Sequence, residues 1–329
     1  MFDRRRFLFG SGALLLGAQL PAFATSTPPL EGQRLIFGYP PGSIGSELGA
    51  SCLSIYNARA GAQFTLTNID SHNSRTATEL VKNGPVDGSM LLQTQSTSMV
   101  LLPSVYRDLG YNPLLDFAPV TALAELAFSL TVGPQVPASV TNLAQYLDWL
   151  TNNPDLRDVG YAMYGSQGHM ATLMLARAKS VAIGARPYKG AFMVLKDLMA
   201  GSLAAGFTAA GNGNQELWAS GKLRSIGVTS ATRLAHWPNV PTLAEQGVAG
   251  MDLKAWYAWY ARTGTPQPAL QGLRDKARVM KAAPEFAPML KRLNLTALNL
   301  EPDQIQQRTA VELASYQQLV RQYGIRPLD

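Results

Sequence analysis

Arg34-Leu35-Ile36-Phe37-Gly38-Tyr39 runs directly into Pro40-Pro41-Gly42-Ser43-Ile44-Gly45-Ser46, and this junction decides how the rest of the chain reads. The first six residues form a short apolar run of the length a buried strand needs. Pro40 and Pro41 lack a backbone donor and Gly42 accepts turn conformations, so the strand stops there. Residues 46–60 then carry helical spacing and stop at Gly61. A strand that feeds a helix through a Gly/Ser-rich turn opens an α/β unit.

The alternation continues outward. Residues 64–68 alternate as a strand, 76–82 read as a helix ending at Asn83-Gly84, and 89–93 as a strand. In the middle third, strands are expected over 127–132, 159–164, 203–209 and 223–229, and helices over 142–152 and 191–200. Met170, Leu173, Met174 and Arg177 share a helical spacing after Gly165-Ser166-Gln167-Gly168, where the methionines read as core filler. The last third is mostly helical after 253–260 and ends in a helix over about 303–323. The expected fold is α/β with two lobes, parallel-rich sheets and covering helices. Residues 127–231 supply one lobe, and 25–126 with 232–329 supply the other. Two segments, near 124–128 and 230–239, cross between them, an arrangement suited to hinge closure around a ligand.

Length and charge agree with this reading. A chain of 329 residues exceeds what one hydrophobic core usually serves. The net charge of +6 is scattered, with no run of three basic residues after Arg4-Arg5-Arg6, which argues against a nucleic-acid partner. A mild positive field instead favours collecting anionic solutes. Cys52 is the single cysteine, so no intramolecular disulfide forms, and its apolar setting reads as a small buried hydrophobe.

The first 24 residues read as an export signal. Arg4-Arg5-Arg6 form the positive segment, residues 7–18 the apolar segment, and Ala22-Phe23-Ala24 the small-x-small cleavage pattern. Arg4-Arg5 followed by Arg6-Phe7-Leu8 resembles the twin-arginine motif, and the Gly-rich apolar segment fits that route; the general secretory route accepts the same residues. The run is too short to span a bilayer. The expected location is the periplasm.

Catalytic patterns are missing. His72, His169 and His236 are the only histidines, and none has metal-ligand spacing or a neighbouring Cys. Tyr164-Gly165-Ser166-Gln167-Gly168 departs from the nucleophile elbow because Tyr164 stands at its first Gly. Gly211-Asn212-Gly213-Asn214-Gln215-Glu216 fails the dinucleotide pattern at its last position, and no phosphate loop is present. The expectation is a binder with no cofactor and no metal, not an enzyme.

Two Gly/Ser turns are the candidate grip. Gly42 to Ser46 and Gly165 to His169 each open a helix, and such an end binds carboxylate or phosphate through unshielded N–H groups. Each also reads as a plain helix start, with Ser46 and Ser166 as caps.

Further residues carry a resemblance. Tyr39-Pro40-Pro41-Gly42, Asp87-Gly88, Asp116-Phe117-Ala118-Pro119-Val120 and Pro187-Tyr188-Lys189-Gly190 lie in order along the chain. Asp197-Leu198 with Gly201, Gly221-Lys222-Leu223-Arg224, Arg233, Pro238-Asn239-Val240-Pro241-Thr242 with Glu245 and Gly247, and Gly264-Thr265-Pro266 follow. Together they resemble the Bug family, the solute-binding receptors of tripartite tricarboxylate transporters. The resemblance implies a periplasmic-binding-protein fold of the Venus-flytrap type II kind and a carboxylate ligand. It implies that Tyr39, Pro41, Gly42, Ser43, Ile44, Gly45 and Ser46 grip the ligand from one side. Gly165, Ser166, Gln167, Gly168 and His169, with Tyr188, Lys189, Gly190 and Thr208, would line the other. Implied partners are the permease subunits of such a transporter or the ectodomain of a two-component sensor, and the receptor itself is expected to be a monomer. A cleft hydrolase is the third reading.

The chain also departs from the family pattern. Ser43-Ile44-Gly45-Ser46 replaces a Gly-Gly loop ending in Asp, Asn68 to Ser74 replaces a Gly-rich loop, and Ala205 replaces an Asp. Ile44 and Ala205 point to a bulkier or more apolar carboxylate, aromatic ones included. Elsewhere the motif residues read as scaffold, with a helix opening at Thr242 and Glu245 at capping-box spacing.

Overall fold

A computed structural model describes residues 32–70, 72–210 and 215–329. The export signal and Gly211-Asn212-Gly213-Asn214 lie outside these residues.

The chain opens with β1 (Arg34–Phe37), α1 (Ile44–Ala60), β2 (Thr65–Asn68), α2 (Arg75–Lys82) and β3 (Met90–Gln95). A π-helical turn over Thr97–Leu101 leads into α3 (Leu102–Val105) and then β4 (Phe117–Val132). Next come α4 (Leu143–Thr151), β5 (Asp158–Ala162), α5 (Gln167–Ala178), β6 (Gly184–Tyr188), α6 (Ala191–Ala200), β7 (Ala205–Ala209), α7 (Gln215–Ala219) and β8 (Arg224–Val228). The chain closes with β9 (Lys254–Arg262), α8 (Gln267–Ala282), α9 (Phe286–Arg292), β10 (Thr296–Ala297) and α10 (Pro302–Gln322).

The strands form one sheet ordered β2-β1-β3-β9-β4-β7-β5-β6, with β8 and β10 also paired to β4. Parallel pairing occupies the two flanks, β2-β1-β3 and β7-β5-β6, as the strand–helix alternation requires. The centre is antiparallel, because β4 and β9 run against each other and against β3, β7 and β8.

Strand β4 holds the two halves together. Its stretch from Phe117 to Ala127 pairs with β9, and its stretch from Phe128 to Val132 pairs with β7. The expected strand began only at Ala127. The preceding residues are alanine-rich and include Pro119, so local propensity hides them, and pairing with β9 overrides it. Register shifts follow Pro119 and Ala122, the first of them where the proline brings no donor to the ladder.

Three segments meet where the halves join. The Thr229 side chain is fully buried; it accepts from the Phe128 N–H at 2.9 Å and donates to the Leu253 carbonyl at 2.6 Å. One hydroxyl thus ties β4, the end of β8 and the entry to β9.

The core of the first half gathers Leu35, Phe37, Tyr56, Leu91 and Trp259, all essentially buried. Tyr56 meets Trp259 edge-on with centroids 5.3 Å apart. Cys52 is a buried free thiol, pushed well above its ordinary pKa by burial, as its apolar setting foretold.

Two local expectations change. Ser43, not Ser46, caps α1: it is extended, and its Oγ accepts the Ser46 N–H at 3.4 Å. Thr242 and Glu245 do form the reciprocal box, with bonds of 2.7 and 2.9 Å, but on a turn and not a helix. Gly247, at φ +80°, ends that turn before a helix starts.

Candidate functional site

A cleft of about 500 Å³ opens where the loops after β1, β5 and β6 converge with β4, β7 and β9. Three helices begin in it. Ser43, Ile44 and Gly45 start α1; Ser166, Gln167 and Gly168 start α5; Gly190, Ala191 and Phe192 start α6. The first N–H groups of a helix have no acceptor within it, and each such end carries roughly half a positive charge. The cleft therefore concentrates backbone donors from three sides.

The local sequence explains each start. Ser166 is extended and accepts the His169 N–H at 3.3 Å, so α5 is capped as the sequence suggested. Gly190 is also extended and opens α6 without a side-chain cap. The approach to α1 depends on Gly38: a Cβ there would lie 2.6 Å from the Ser74 backbone. Ser74 and its neighbour Asn73 hold positive φ angles of 70° and 54°. Met163, just before the second turn, has φ 67° and lines the cleft, while its N–H donates to the Tyr188 carbonyl at 2.8 Å. Left-handed non-glycine residues at a cleft are positions held by their surroundings.

Of the residues expected to bind ligand, twelve line the cleft: Tyr39, Pro41, Gly42, Ser43, Ile44, Gly45, Ser166, Gln167, Gly168, Lys189, Gly190 and Thr208. Four lie behind it. Ser46 spends its hydroxyl on the Asn68 amide, 3.1–3.3 Å away. Gly165 packs under Val105 and donates to His169 Nδ1 at 3.2 Å. His169 stacks on Tyr161 with centroids 4.6 Å apart, and burial lowers its pKa to about 4. Tyr188 donates to Asp197 at 2.8 Å under the Arg186 guanidinium, which fixes the strand end that delivers Lys189 and Gly190. Ala205 is buried in β7 and is not among the lining residues, whereas Ile44 is.

Other lining residues had no local signal. Leu126 and Phe128 come from β4, Gln95 from β3 and Tyr257 from β9. Gln95 Nε2 donates to the Tyr257 hydroxyl at 3.1 Å, and its carbonyl oxygen accepts from Thr97 at 3.1 Å. Thr97 in turn reaches the carbonyl oxygen of the fully buried Gln167 at 2.7 Å, and Gln167 Nε2 has no partner among the described residues. Thr208 is held from behind by Thr131 at 2.8 Å. The charged lining side chains among the described residues are Glu47, Asp70 and Lys189. Burial pushes the Tyr39 phenol up to about 12, with Ser98 opposing the shift and Asp70 adding to it, so it stays protonated.

Apolar surface completes the cleft. Phe37, Tyr39 and Tyr257 form an aromatic wall, with Phe37 5.2 Å from Tyr39 and 6.3 Å from Tyr257. Phe192, 73% exposed, stands at the start of α6. Among the described residues no three His, Cys, Asp or Glu side chains gather as a metal site. No described helix is long and apolar enough to cross a membrane.

Comparison with known proteins matches the tripartite tricarboxylate transporter family receptor over residues 62–325. The chain is 26% identical over 323 residues to a UPF0065 protein from the tcbD-tcbE intergenic region of Pseudomonas sp. (strain P51), covering 98% of this chain and 95% of that protein. Its fold superimposes on R. palustris Rpa4515 with adipate at a TM-score of 0.83 and 25% identity, covering 91% and 99% of the two chains. The periplasmic binding protein BugD superimposes at 0.81 and 22% identity, covering 90% and 98%. The expected two-lobed periplasmic-binding-protein fold is the one observed.

Proposed function

The chain belongs to the tripartite tricarboxylate transporter receptor family, and from that premise we propose that it captures a small carboxylate with an apolar body and hands it to a transporter of the tripartite type. The observation that carries the proposal is the meeting of three helix N-termini in one cleft walled by aromatic rings. Together these ends supply roughly one and a half positive charges, and Lys189 adds one. Glu47 and Asp70 take two away. The balance suits one carboxylate better than two or three, and Ile44, Phe37, Tyr257 and Phe192 offer surface to an apolar or aromatic body. Rpa4515, the relative with adipate, supports the carboxylate end of this reading.

The two sheet halves act as the lobes, with Ile44 and Gly45 on one and Gly168 and Gly190 on the other. A ligand that touches both favours the closed form by its extra contacts there. Export by the N-terminal signal, through the twin-arginine or the general secretory route, would bring the receptor to the periplasm.

Thermal unfolding of the chain from residue 25 onward, against mono-, di-, tri- and aromatic carboxylates, tests the proposal. A ligand at a hundred times its dissociation constant adds about 2.7 kcal/mol. Selective stabilisation by an aromatic or long-chain monocarboxylate, recovered unchanged, supports it. Stronger stabilisation by citrate overturns the monocarboxylate preference. A flat response from folded protein overturns carboxylate capture and favours a sensor-adaptor role.

A further inference from the structure

A second cavity, of about 350 Å³, lies on the first half of the sheet away from the cleft. Helix α8 lines it with Arg274, Arg278 and Lys281, spaced four and three residues apart and so on one helical face. Val120 and Thr121 of β4 form its floor, and Glu301 with Pro302 brings the start of the 21-residue α10 to its edge.

The cations there are short of counter-charge. Arg274 gives its Nε and Nη2 to one acceptor, the Pro119 carbonyl, at 3.2 and 2.9 Å. Lys281 gives one proton to the Leu298 carbonyl at 3.0 Å. Neither pairs with a carboxylate among the described residues, and each keeps donors to spare. Arg278 pairs with Asp275, which is not part of the lining. Glu301, the one acidic lining residue, accepts from the first turn of α10 in a capping box with Gln304. Burial lowers the pKa of both Arg274 and Lys281, with Arg278 pushing Arg274 the same way, and Asp303 and Glu301 restore only part of it. Two partly buried cations, offset only in part by Asp303 and Glu301, around an open cavity describe a receptor for negative charge.

We propose that this cavity binds a small oxyanion carrying two or more negative charges, held by Arg274, Arg278 and Lys281 and independent of the interlobe cleft. Guanidinium groups favour oxyanions because their N–H forks match two oxygens at once, and Lys281 adds a third point of contact. The floor on β4 lies beside its register shifts, so the bound ion would also brace the strand shared by both halves.

The test measures unfolding and titration calorimetry with inorganic phosphate, pyrophosphate and citrate, each against chloride at equal ionic strength. Phosphate and pyrophosphate separate a phosphate source from a polycarboxylate one. Wild type should show a saturable rise in midpoint, retained in Lys189→Gln. Lys281→Met and Arg278→Gln should each weaken the apparent affinity tenfold or more while keeping the cleft's carboxylate response. Arg278 is exposed, so its variant tests the site even where Lys281→Met folds poorly. No rise over chloride, an equal rise in Arg278→Gln, or loss of the rise in Lys189→Gln would each overturn the proposal.

Discussion

Gly168 and Gly190 both line the cleft, yet leucine at the two positions should act in opposite ways. A Cβ on Gly168 would lie 3.0 Å from the Tyr161 Cβ and 3.3 Å from the Phe207 Cβ. Both neighbours are strand residues no more than 2% exposed, so they cannot retreat. Overpacking of this kind costs about 1–3 kcal/mol, against about 0.5–1 kcal/mol regained by removing a helical glycine. Gly168→Leu should therefore lose up to about 2.5 kcal/mol, or as much as roughly 10 °C in a domain of this size. A Cβ on Gly190 meets nothing within 4 Å, and the residue sits at φ 179°, open to any side chain. Gly190→Leu should keep its stability within about 0.5 kcal/mol, because it disturbs no packed feature. Its side chain adds bulk where α6 enters the cleft, so carboxylate affinity should fall at least about tenfold, or 1.4 kcal/mol. Melting without ligand and calorimetry with the best carboxylate of the panel separate the two effects. Unchanged affinity in folded Gly190→Leu protein would refute the placement of the ligand at the α6 end.

Three more outcomes follow from the geometry. Thr229→Val keeps the shape of the side chain but strands the Phe128 N–H and the Leu253 carbonyl, and should cost about 2–5 kcal/mol in urea unfolding; a loss under 1 kcal/mol would deny the hydroxyl its role at the junction. His169 has a folded pKa of about 4, below its unfolded value, because burial disfavours its charged form. Its contribution is thus whole above pH 6.5 and is lost as pH falls toward 4, so His169→Gln should flatten the urea midpoint between pH 6.5 and 4.5; an identical slope in both proteins would show that the ring does not titrate this way. Replacing Arg4 and Arg5 together by lysine should leave uncleaved precursor in the cytoplasm, measured by fractionation, whereas normal export would assign the signal to the general secretory route.

How much of the site was legible depends on how far apart its parts lie in the chain. Ser166 and Gly168 announce a helix start within a few residues, and the structure places both in the cleft. Ser43 carries the same signal, but Ser46 is equally suitable by sequence, and only its hydroxyl's bond to Asn68 leaves Ser43 as the cap. Leu126 and Tyr257 reach the cleft through the β4–β9 pairing, which joins residues more than a hundred positions apart, and Phe128 through the β4–β7 pairing. No local pattern encodes that. Strand β4 is buried on nearly every residue, so it lacks the alternation that marks a half-exposed strand. At Thr242 the capping box forms as its spacing predicts, yet Gly247 stops the helix that such a box normally opens.

The two anion-seeking sites should differ in their response to salt, and the difference tests the physics of both. The cleft offers backbone dipoles and one cation, Lys189, offset by Glu47 and Asp70. The α8 cavity offers three full charges against the single carboxylate of Glu301, and Arg274 and Lys281 have no carboxylate partner among the described residues. Screening shortens the reach of charges from about 10 Å at 0.1 M to about 3 Å at 1 M, but alters a short hydrogen bond to a fixed N–H much less. A carboxylate in the cleft should therefore lose little affinity between about 0.1 and 1 M sodium chloride. Pyrophosphate at α8 should weaken steeply over the same range. Such a contrast is what preorganised neutral donors would give, because they hold an anion by geometry and not by a side-chain charge. An equally steep salt dependence at the cleft would mean that Lys189, and not the three helix ends, carries the grip.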